Sequence, residues 1–443
     1  MAVSATPRTA ELTRYVAVAY SGGRDSTALL HAVCRQASVA NIEGASIEVL
    51  AFHIHHGLSA HADEWLVHCR QQCVAWAAGG LPVRFDSREL SGKPAAAQSV
   101  EAWAREARYA ALAAMCRDAG ADLLLLAQHR RDQAETLLLQ ALRGAGVAGL
   151  AGMPALQWRD GVCWARPWLN RPREAIDAYI AQHGLRHIED DSNQDPRYAR
   201  NRLRIGVWPA LSEAFPDAES SLAQSANWAQ LALELQREIA ELDLQALDGE
   251  NGLDVGRLQA LSDARASNAL RAWLQQQTGV VAPASLIVRL RDELCADGQG
   301  SWPCAGGLLG LYRRHLSWRA TAQRPASPSQ IVNLGSVGDH DQADWGGTWR
   351  VEPSSDAGVS LKSLQDLTLR PRQGGEQFQR APGSAARSLK KAYQEAGVPA
   401  WLREGPLLFS GDRLIFAAGL GLDSRMFSTN DEPRYSLRWL PAP

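Results

Sequence analysis

Short apolar runs alternate with helix-like stretches over the first 208 or so residues. The runs that predict strands are residues 15–20, 47–54 and 122–127. The stretches that predict helices are residues 26–35, about 61–78, 101–119 and 132–143. Strands that alternate with helices predict an α/β fold, a parallel twisted sheet with helices on both faces. Ligands in such sheets bind beside the carboxyl ends of the strands, so we expect chemistry in the loops after Tyr20, Ile54 and Ala127.

The hydrophobic pattern changes after the α/β domain, which we place at residues 1–210. Apolar positions three and four apart between Leu222 and Leu242 predict a long amphipathic helix. With shorter helices near 263–277 and 284–294, the segment 215–320 is predicted to form a small helical domain. We predict a linker at 321–330 and a C-terminal mixed α+β domain at 331–443. That domain is predicted to contain one helix at 388–396 and a hairpin that turns at Gly411–Asp412.

The composition is that of a folded, soluble chain. Of its 443 residues, 46% are hydrophobic and 21% are charged, which excludes a coiled coil, a collagen-like fibre and a disordered tail protein. No apolar run is long enough to span a membrane, and the first residues lack the pattern of a signal peptide. The odd number of cysteines, seven, predicts reduced thiols and a cytoplasmic protein.

A net charge close to zero does not exclude a nucleic-acid partner. The formal net charge is −2, but six basic residues and a single acid, Glu376, lie between Leu369 and Lys391. We expect this cluster to contact nucleic-acid phosphates, through Arg372, Arg387, Lys390 and Lys391 in particular. The alternative is a solvated basic face.

The most specific motif is SGGRDS at residues 21–26, here called the phosphate loop. It follows a predicted strand and precedes a predicted helix, and its two glycines let successive backbone amides converge on an anion. The start of the helix adds its dipole. Ser21 and Ser26 can donate hydroxyls to phosphate oxygens, and Asp25 can bind Mg²⁺. The motif lacks the lysine of a Walker A loop. The alternative is an ordinary strand–turn–helix connection built from small residues.

SGGRDS resembles the SGGxDS loop of the PP-loop ATP pyrophosphatases. Within that superfamily the whole chain resembles the tRNA(Ile)-lysidine synthetase family. The matching segments are, in chain order, residues 53–59, 101–109, 129–150, 165–169, 188–204 and 388–403. The resemblance implies that the C2 carbonyl oxygen of the wobble cytidine, in the CAU anticodon of an isoleucine tRNA, is adenylated with release of pyrophosphate. The ε-amine of free L-lysine then displaces AMP and gives lysidine.

The resemblance also implies roles for individual residues. Asp132 and Glu135 lie three apart where a helix begins at a strand's carboxyl end, so one face can carry both; alone, they fit equally a solvated first turn. The resemblance assigns Mg²⁺ to Asp25 and Asp132, and the orientation or deprotonation of lysine to Glu135. The residues that it assigns to ATP are Ser21, Gly22, Gly23, Arg24, Asp25, Ser26 and His53.

A basic run follows three acids in the segment 190–204. Its simplest interpretation is a helix cap followed by a solvated face. The functional interpretation is a surface where Arg200 and Arg204 meet RNA phosphates and Asn193 or Asn201 contacts a base. Arg131 stands where some family members have a second acid; we expect metal binding to survive this.

Two other functions fit parts of the chain. A tRNA thiolase would share the phosphate loop, but the sequence has no C-x-x-C. A tRNA-binding scaffold without turnover would leave Asp25, Asp132 and Glu135 idle. The lysine pocket stays open at this stage, as does the choice between a monomer and a homodimer.

Overall fold

The computed structural model describes residues 13–55, 57, 61–90, 92, 100–189, 195–249, 252–320, 329–398, 403, 405–428 and 432–441. Two compact units divide the chain, Met1–Gln236 and Arg237–Pro443. Within the described residues, no helix combines the length and the apolar character that crossing a membrane requires.

The strands and helices that the sequence predicts in the first unit are present in the predicted order, with three further strands and several short helices between them. In chain order they are β1 (Arg14–Ala19), α1 (Arg24–Ile42), β2 (Ile47–His55), α2 (Ala62–Ala78), β3 (Val83–Glu89), α3 (Val100–Ala119), β4 (Leu123–Leu125), α4 (Arg130–Ala141), α5 (Val147–Leu150), β5 (Leu156–Arg159), β6 (Val162–Ala165), α6 (Arg173–His183), α7 (Ala199–Arg202), α8 (Trp208–Ala214) and α9 (Ala218–Leu247). A π-helical turn, Leu203–Val207, joins α7 to α8.

The first unit is an α/β fold, as predicted. Its six strands have the order β3-β2-β1-β4-β6-β5, and every pair is parallel except β5 with β6. Alternate residues of β1 enter different cores. Ala17 joins the α3 residues Leu112 and Met115, whereas Val18 joins Leu29 of α1 and Cys69 of α2. Helices therefore cover both faces of the sheet, and its carboxyl edge stays open for a ligand.

The second unit contains four further helices and fifteen strands among its described residues. They are β7 (Asp248–Gly249), β8 (Gly252–Asp254), α10 (Val255–Gln259), α11 (Asp263–Thr278), α12 (Ala284–Glu293), β9 (Gly300–Cys304), β10 (Gly307–Tyr312), β11 (His315–Ala320), β12 (Gln330–Val332), β13 (Gly338–Gln342), β14 (Gly347–Pro353), β15 (Leu367–Arg370), β16 (Gln377–Phe378), β17 (Arg387–Ser388), α13 (Leu389–Ala396), β18 (Leu407–Ser410), β19 (Arg413–Ala417), β20 (Gly421–Leu422) and β21 (Tyr435–Pro441).

The segment predicted to be helical also contains a sheet, which corrects that prediction. Its helices are present, but an antiparallel sheet of order β7-β8-β11-β10-β9 packs with them around one core. The turn between β10 and β11 explains the omission. Arg313 and Arg314 adopt left-handed φ angles of 45° and 69°, the conformation that hairpins usually assign to Asn-Gly. Two arginines carry no such turn signal.

The C-terminal part is mixed α+β, as predicted. A five-stranded sheet, β12-β15-β18-β19-β20, lies beside the three-stranded sheet β13-β14-β21 and the pair β16-β17. The hairpin forms where it was expected, since Ser410 pairs with Arg413 around the Gly411–Asp412 turn. Most of the predicted linker, residues 321–328, lies outside the described residues.

Candidate active site

The phosphate loop connects β1 to α1 at the carboxyl edge of the sheet. The hydroxyls of Ser21 and Ser26 lie 3.0 Å apart, and Ser26 donates to the carbonyl of Gly23 at 2.9 Å. The amide of Gly23 lies 3.3 Å from the Ser21 hydroxyl oxygen and donates to it. These bonds fold the loop tightly in front of a 19-residue helix, where backbone amides and the helix dipole attract phosphate.

Gly22 holds the loop against a neighbouring segment. Its φ is +82°, and a Cβ there would overlap Ile188 and lie 2.7 Å from the sulfur of Cys69. Its carbonyl accepts hydrogen bonds from the amide of Ile188 at 2.9 Å and from the hydroxyl of Thr27 at 3.1 Å. Only glycine satisfies both the backbone angle and this close approach.

His53 faces the same loop from β2. Its side chain is buried, and Nδ1 donates to the carbonyl oxygen of Tyr20 at 2.9 Å. His53 lines the cavity in front of the phosphate loop, as the ATP assignment requires. His55 instead contacts the exposed Asp63, with 3.1 Å between Nε2 and Oδ1, and His56 lies outside the described residues.

His129 lies between the two carboxylates that were predicted to bind magnesium. Its Nε2 is 3.7 Å from Oδ2 of Asp25 and 3.5 Å from Oδ2 of Asp132. Burial alone would lower the pKa of His129, but Asp25 and Asp132 outweigh it and raise that pKa. Burial alone would raise the pKa of Asp25, yet His129 and Arg24 lower it to about 2. Asp25 is therefore ionised at neutral pH.

Glu135 lies beside this group and is held by two arginines. Its side chain is fully buried, and Oε1 accepts from Nε of Arg204 at 2.8 Å. The same guanidinium donates to Oδ1 of Asp132 at 2.9 Å. Nε of Arg200 is 3.6 Å from Oε2 of Glu135, and Nη2 of Arg200 donates to the Thr136 hydroxyl at 2.8 Å. Two residues that we predicted to meet tRNA thus contact the acids of α4.

Arg131, the departure from the acid of some relatives, points to another carboxylate. Its Nε donates to Glu219 at 3.1 Å, and its guanidinium lies 4.9 Å from the ring centre of Trp208. Arg130 donates to the other oxygen of Glu219 at 2.9 Å. Arg131 therefore also ties α4 to α9, and both Asp132 and Asp25 remain in place.

These side chains open on one cavity of about 730 Å³, a volume in the usual range for small-molecule sites. Its polar lining residues include Ser21, Arg24, Asp25, Ser26, His53, Arg108, His129, Arg131, Asp132, Arg173, Glu189, Arg200 and Arg204. Asp132 lines the cavity, whereas the buried Glu135 is reached through Arg200 and Arg204. Of the residues predicted to bind ATP or to act as catalytic acids, all except Gly22 and Glu135 line this space.

The donor set fits a magnesium ion better than a softer metal. Two carboxylates that approach one imidazole nitrogen, beside a loop built for phosphate, are the ligands that Mg²⁺ uses together with nucleotide oxygens. No group of three or more His, Cys, Asp or Glu residues suited to a metal occurs in the described parts of the chain. Cys69 and Cys73 are core residues, and burial raises the pKa of each thiol to about 12.

The remaining predicted tRNA contacts are scattered. Asn201 is buried and donates to the carbonyl of Asp195 at 2.9 Å, while Asn193 lies outside the described residues. In the second unit Arg372 is exposed, with its guanidinium 5.9 Å from the ring centre of Tyr393. The other three predicted contacts are Arg387, Lys390 and Lys391. Arg387 forms an ion pair with Glu395, and the two lysines are exposed on α13. The assignment of these residues to tRNA stays a prediction.

Sequence reasoning gave no role to His129 or Arg173. His129 stands directly after β4 and opens the segment 129–150, and that position at a strand's carboxyl end was the available signal. Arg173 begins α6 after Pro172, in a stretch without a motif, so only the folded chain shows that it lines the cavity.

Comparison with known proteins shows which family the chain belongs to. Family models match the chain as a PP-loop domain at residues 5–211, a TilS substrate binding domain at 253–317 and a TilS substrate C-terminal domain at 367–439. A tRNA(Ile)-lysidine synthase of Ralstonia nicotianae is 42% identical over 440 residues, which cover 96% of this chain and 93% of that protein. The chain belongs to the tRNA(Ile)-lysidine synthase family. The enzyme of the same name from Burkholderia pseudomallei is 39% identical, and the match covers 94% of this chain and 91% of that protein. The one from Chromobacterium violaceum is 38% identical, and the match covers 92% of each chain.

Proposed function

We propose that this protein ligates L-lysine to C2 of the wobble cytidine in the CAU anticodon of an isoleucine tRNA, at the expense of ATP. The observation that carries the proposal is the shared cavity, which places Asp25 of the phosphate loop and Asp132 of α4 on either side of His129. Family membership supports it, because the relatives are named for this product. The protein is accordingly a ligase that uses ATP and modifies tRNA.

The first half of the reaction transfers AMP to tRNA. The cytidine C2 carbonyl oxygen attacks the α-phosphorus of ATP, an O–P bond forms, and the bond to pyrophosphate breaks. The amides of the phosphate loop, with the hydroxyls of Ser21 and Ser26, hold the pyrophosphate that leaves. Asp25 and Asp132 would hold Mg²⁺, which neutralises phosphate charge when it is bound. His129 fixes the orientation of both carboxylates.

The second half transfers lysine. The ε-amine attacks C2, the bond from C2 to the oxygen of AMP breaks, and the amine loses a proton. Asp132 and Glu135 supply negative charge for a lysine ammonium, and Glu135 is the proposed proton acceptor. In the structure Arg204 donates hydrogen bonds to both carboxylates. The amine therefore reaches them when Arg204 turns toward a new anion, such as the tRNA backbone.

The basic residues of the second unit would hold the body of the tRNA. Exposed Lys390 and Lys391, with Arg372 and Arg387, present positive charge far along the chain from the phosphate loop. Phosphate contacts position an RNA without reading its sequence. We place this work in the cytoplasm, where tRNA, ATP and free lysine occur together and where buried thiols such as those of Cys69 and Cys73 stay reduced.

Mass analysis of nucleosides tests the proposal. Unmodified isoleucine tRNA is incubated with the protein, ATP and lysine, then digested. We expect lysidine in place of one cytidine, together with AMP and pyrophosphate in equal amounts. Without lysine, pyrophosphate release should stop after one equivalent of adenylated tRNA. A thionucleoside formed with a sulfur donor, or tRNA binding without pyrophosphate release, would contradict the ligase.

A further inference from the structure

Arg24, the first residue of α1, links the phosphate loop to α6. Its Nε lies 3.1 Å from Oδ1 of Asp25, and its Nη1 lies 2.9 Å from Oδ1 of Asp177. The Asp177 side chain is 47% exposed and is not among the residues that line the cavity. Among the described residues, Asp177 thus contacts the phosphate loop through the Arg24 side chain.

Asp177 interacts with two cationic side chains, Arg24 and Arg173. Arg24 and Arg173 both line the cavity. Burial is the largest influence that lowers the pKa of Arg173, the charge of Arg24 lowers it further, and Asp177 raises it. Asp177 therefore offsets part of the repulsion between Arg24 and Arg173.

The two ion pairs leave one edge of the Arg24 guanidinium available. They use Nε and Nη1, and Nη2 has no hydrogen-bond partner within the described parts of the chain. A guanidinium is planar, so fixing two of its nitrogens fixes the direction of the third. Arginine nitrogens held in this way match the oxygens of a phosphate group.

We propose that Asp177 is a positioning residue for the pyrophosphate half of ATP, which it serves by holding the Arg24 guanidinium beside the phosphate loop. The proposal rests on the proposed use of ATP and adds a residue from outside the phosphate loop. AMP lacks the β- and γ-phosphates, so Asp177 should matter for pyrophosphate and ATP and not for AMP.

Calorimetry on the full chain separates these ligands. Asp177→Asn should raise the dissociation constant of magnesium pyrophosphate about threefold to tenfold, the size expected for a partly exposed ion pair that acts on a charged ligand. The dissociation constant of AMP should stay within twofold. Glu174→Gln, an exposed acid on the same helix, should change neither. Asp177→Glu should restore most of the pyrophosphate affinity.

A double-variant cycle tests whether Asp177 acts through Arg24. In an Arg24→Leu background, Asp177→Asn should have no further effect on pyrophosphate binding. Unchanged pyrophosphate affinity in Asp177→Asn would overturn the proposal, as would an equal loss for AMP or a loss that persists without Arg24. If Asp177→Asn unfolds, Asp177→Ser replaces it in the same cycle, because it also removes the carboxylate. A wild-type chain that binds pyrophosphate but forms no lysidine would contradict the proposed function alone.

Discussion

Arg204 and Glu135 form an ion pair of 2.8 Å in which the carboxylate is fully buried. The arginine comes from the π-helical turn Leu203–Val207 and the acid from α4. Turns of this kind are frequent at functional sites, because they displace side chains from ordinary helical positions. In the proposed reaction, the lysine amine reaches Asp132 and Glu135 only when Arg204 moves away from them.

Glu135→Gln is expected to slow lysine transfer more than it weakens ATP binding. An amide cannot balance the charge of Arg204, so the free energy of unfolding should fall by about 2–4 kcal/mol. Transfer from preformed adenylated tRNA should slow at least about tenfold, while the ATP dissociation constant should stay within threefold. Urea denaturation, single-turnover transfer and calorimetry measure the three quantities.

The exposed Glu64 provides the control for that experiment, since its side chain is 78% exposed and Glu64→Gln should leave all three quantities unchanged. If ATP affinity collapsed in Glu135→Gln while transfer continued, Glu135 would belong to the ATP site instead.

Asp25→Asn should nearly abolish lysidine formation in a folded protein. The carboxylate contacts His129 and Arg24, and its pKa of about 2 keeps it charged at every pH used for assays. Because Asp25 is a proposed magnesium ligand, its replacement should lower pyrophosphate release by at least about a hundredfold. Circular dichroism checks the fold. Asp118→Asn, a change on a side chain that is 68% exposed, should keep full activity. Normal turnover by folded Asp25→Asn would refute the assigned role.

The sequence alone predicted several cavity-lining residues that come shortly after a strand. Strands rich in Val, Ala and Leu identified the sheet, and the residues just after them, such as Asp25 and Asp132, line the cavity. Their placement needs only the rule that ligands bind at the carboxyl ends of parallel strands.

The contacts between distant segments could not be predicted in that way. Arg204 forms an ion pair with Glu135, and Asp177 forms one with Arg24, because separate helices pack together in three dimensions. Neither pair has a fixed spacing in sequence. The same holds for β3, β5 and β6, short strands whose place in the sheet depends on their neighbours.

His31 should make the first unit less stable in mild acid. Nδ1 lies 3.0 Å from the Tyr179 hydroxyl, and the ring packs near Trp76 and His183. Burial, with the charges of His183 and Arg35, lowers the pKa of His31 from 6.5 to about 4. The unfolded chain therefore binds the proton more readily. Stability from His31 is complete above about pH 6.5 and is lost as the pH falls toward 4.

His31→Gln keeps a hydrogen-bonding side chain but does not titrate. Between pH 7 and pH 4.5 the wild-type chain should lose roughly 1–3 kcal/mol more unfolding free energy than this variant. Urea denaturation at several pH values measures the difference. Parallel pH profiles for the two proteins would show that His31 is already protonated in the fold.

Lys390 and Lys391 should contribute tRNA affinity without affecting ATP. Both are exposed at the start of α13, whereas nearby Arg387 is already paired with Glu395. Each phosphate contact that is lost should lower the slope of log affinity against log salt by about 0.7 to 0.9. Lys390→Ala with Lys391→Ala should therefore weaken tRNA binding and flatten its salt dependence. The ATP dissociation constant should not change.

Lys362→Ala is the matched control, because this lysine is also exposed in the second unit and lies in the separate 3₁₀ turn Leu361–Leu364. Filter binding at four salt concentrations gives the slopes for the three proteins. A double variant with the slope of Lys362→Ala would show that Lys390 and Lys391 form a solvated face. A slope reduced in both variants would mean that tRNA senses the total charge of the unit. Only a reduction confined to Lys390 and Lys391 places phosphates beside α13, since a general field would not distinguish one exposed lysine from another.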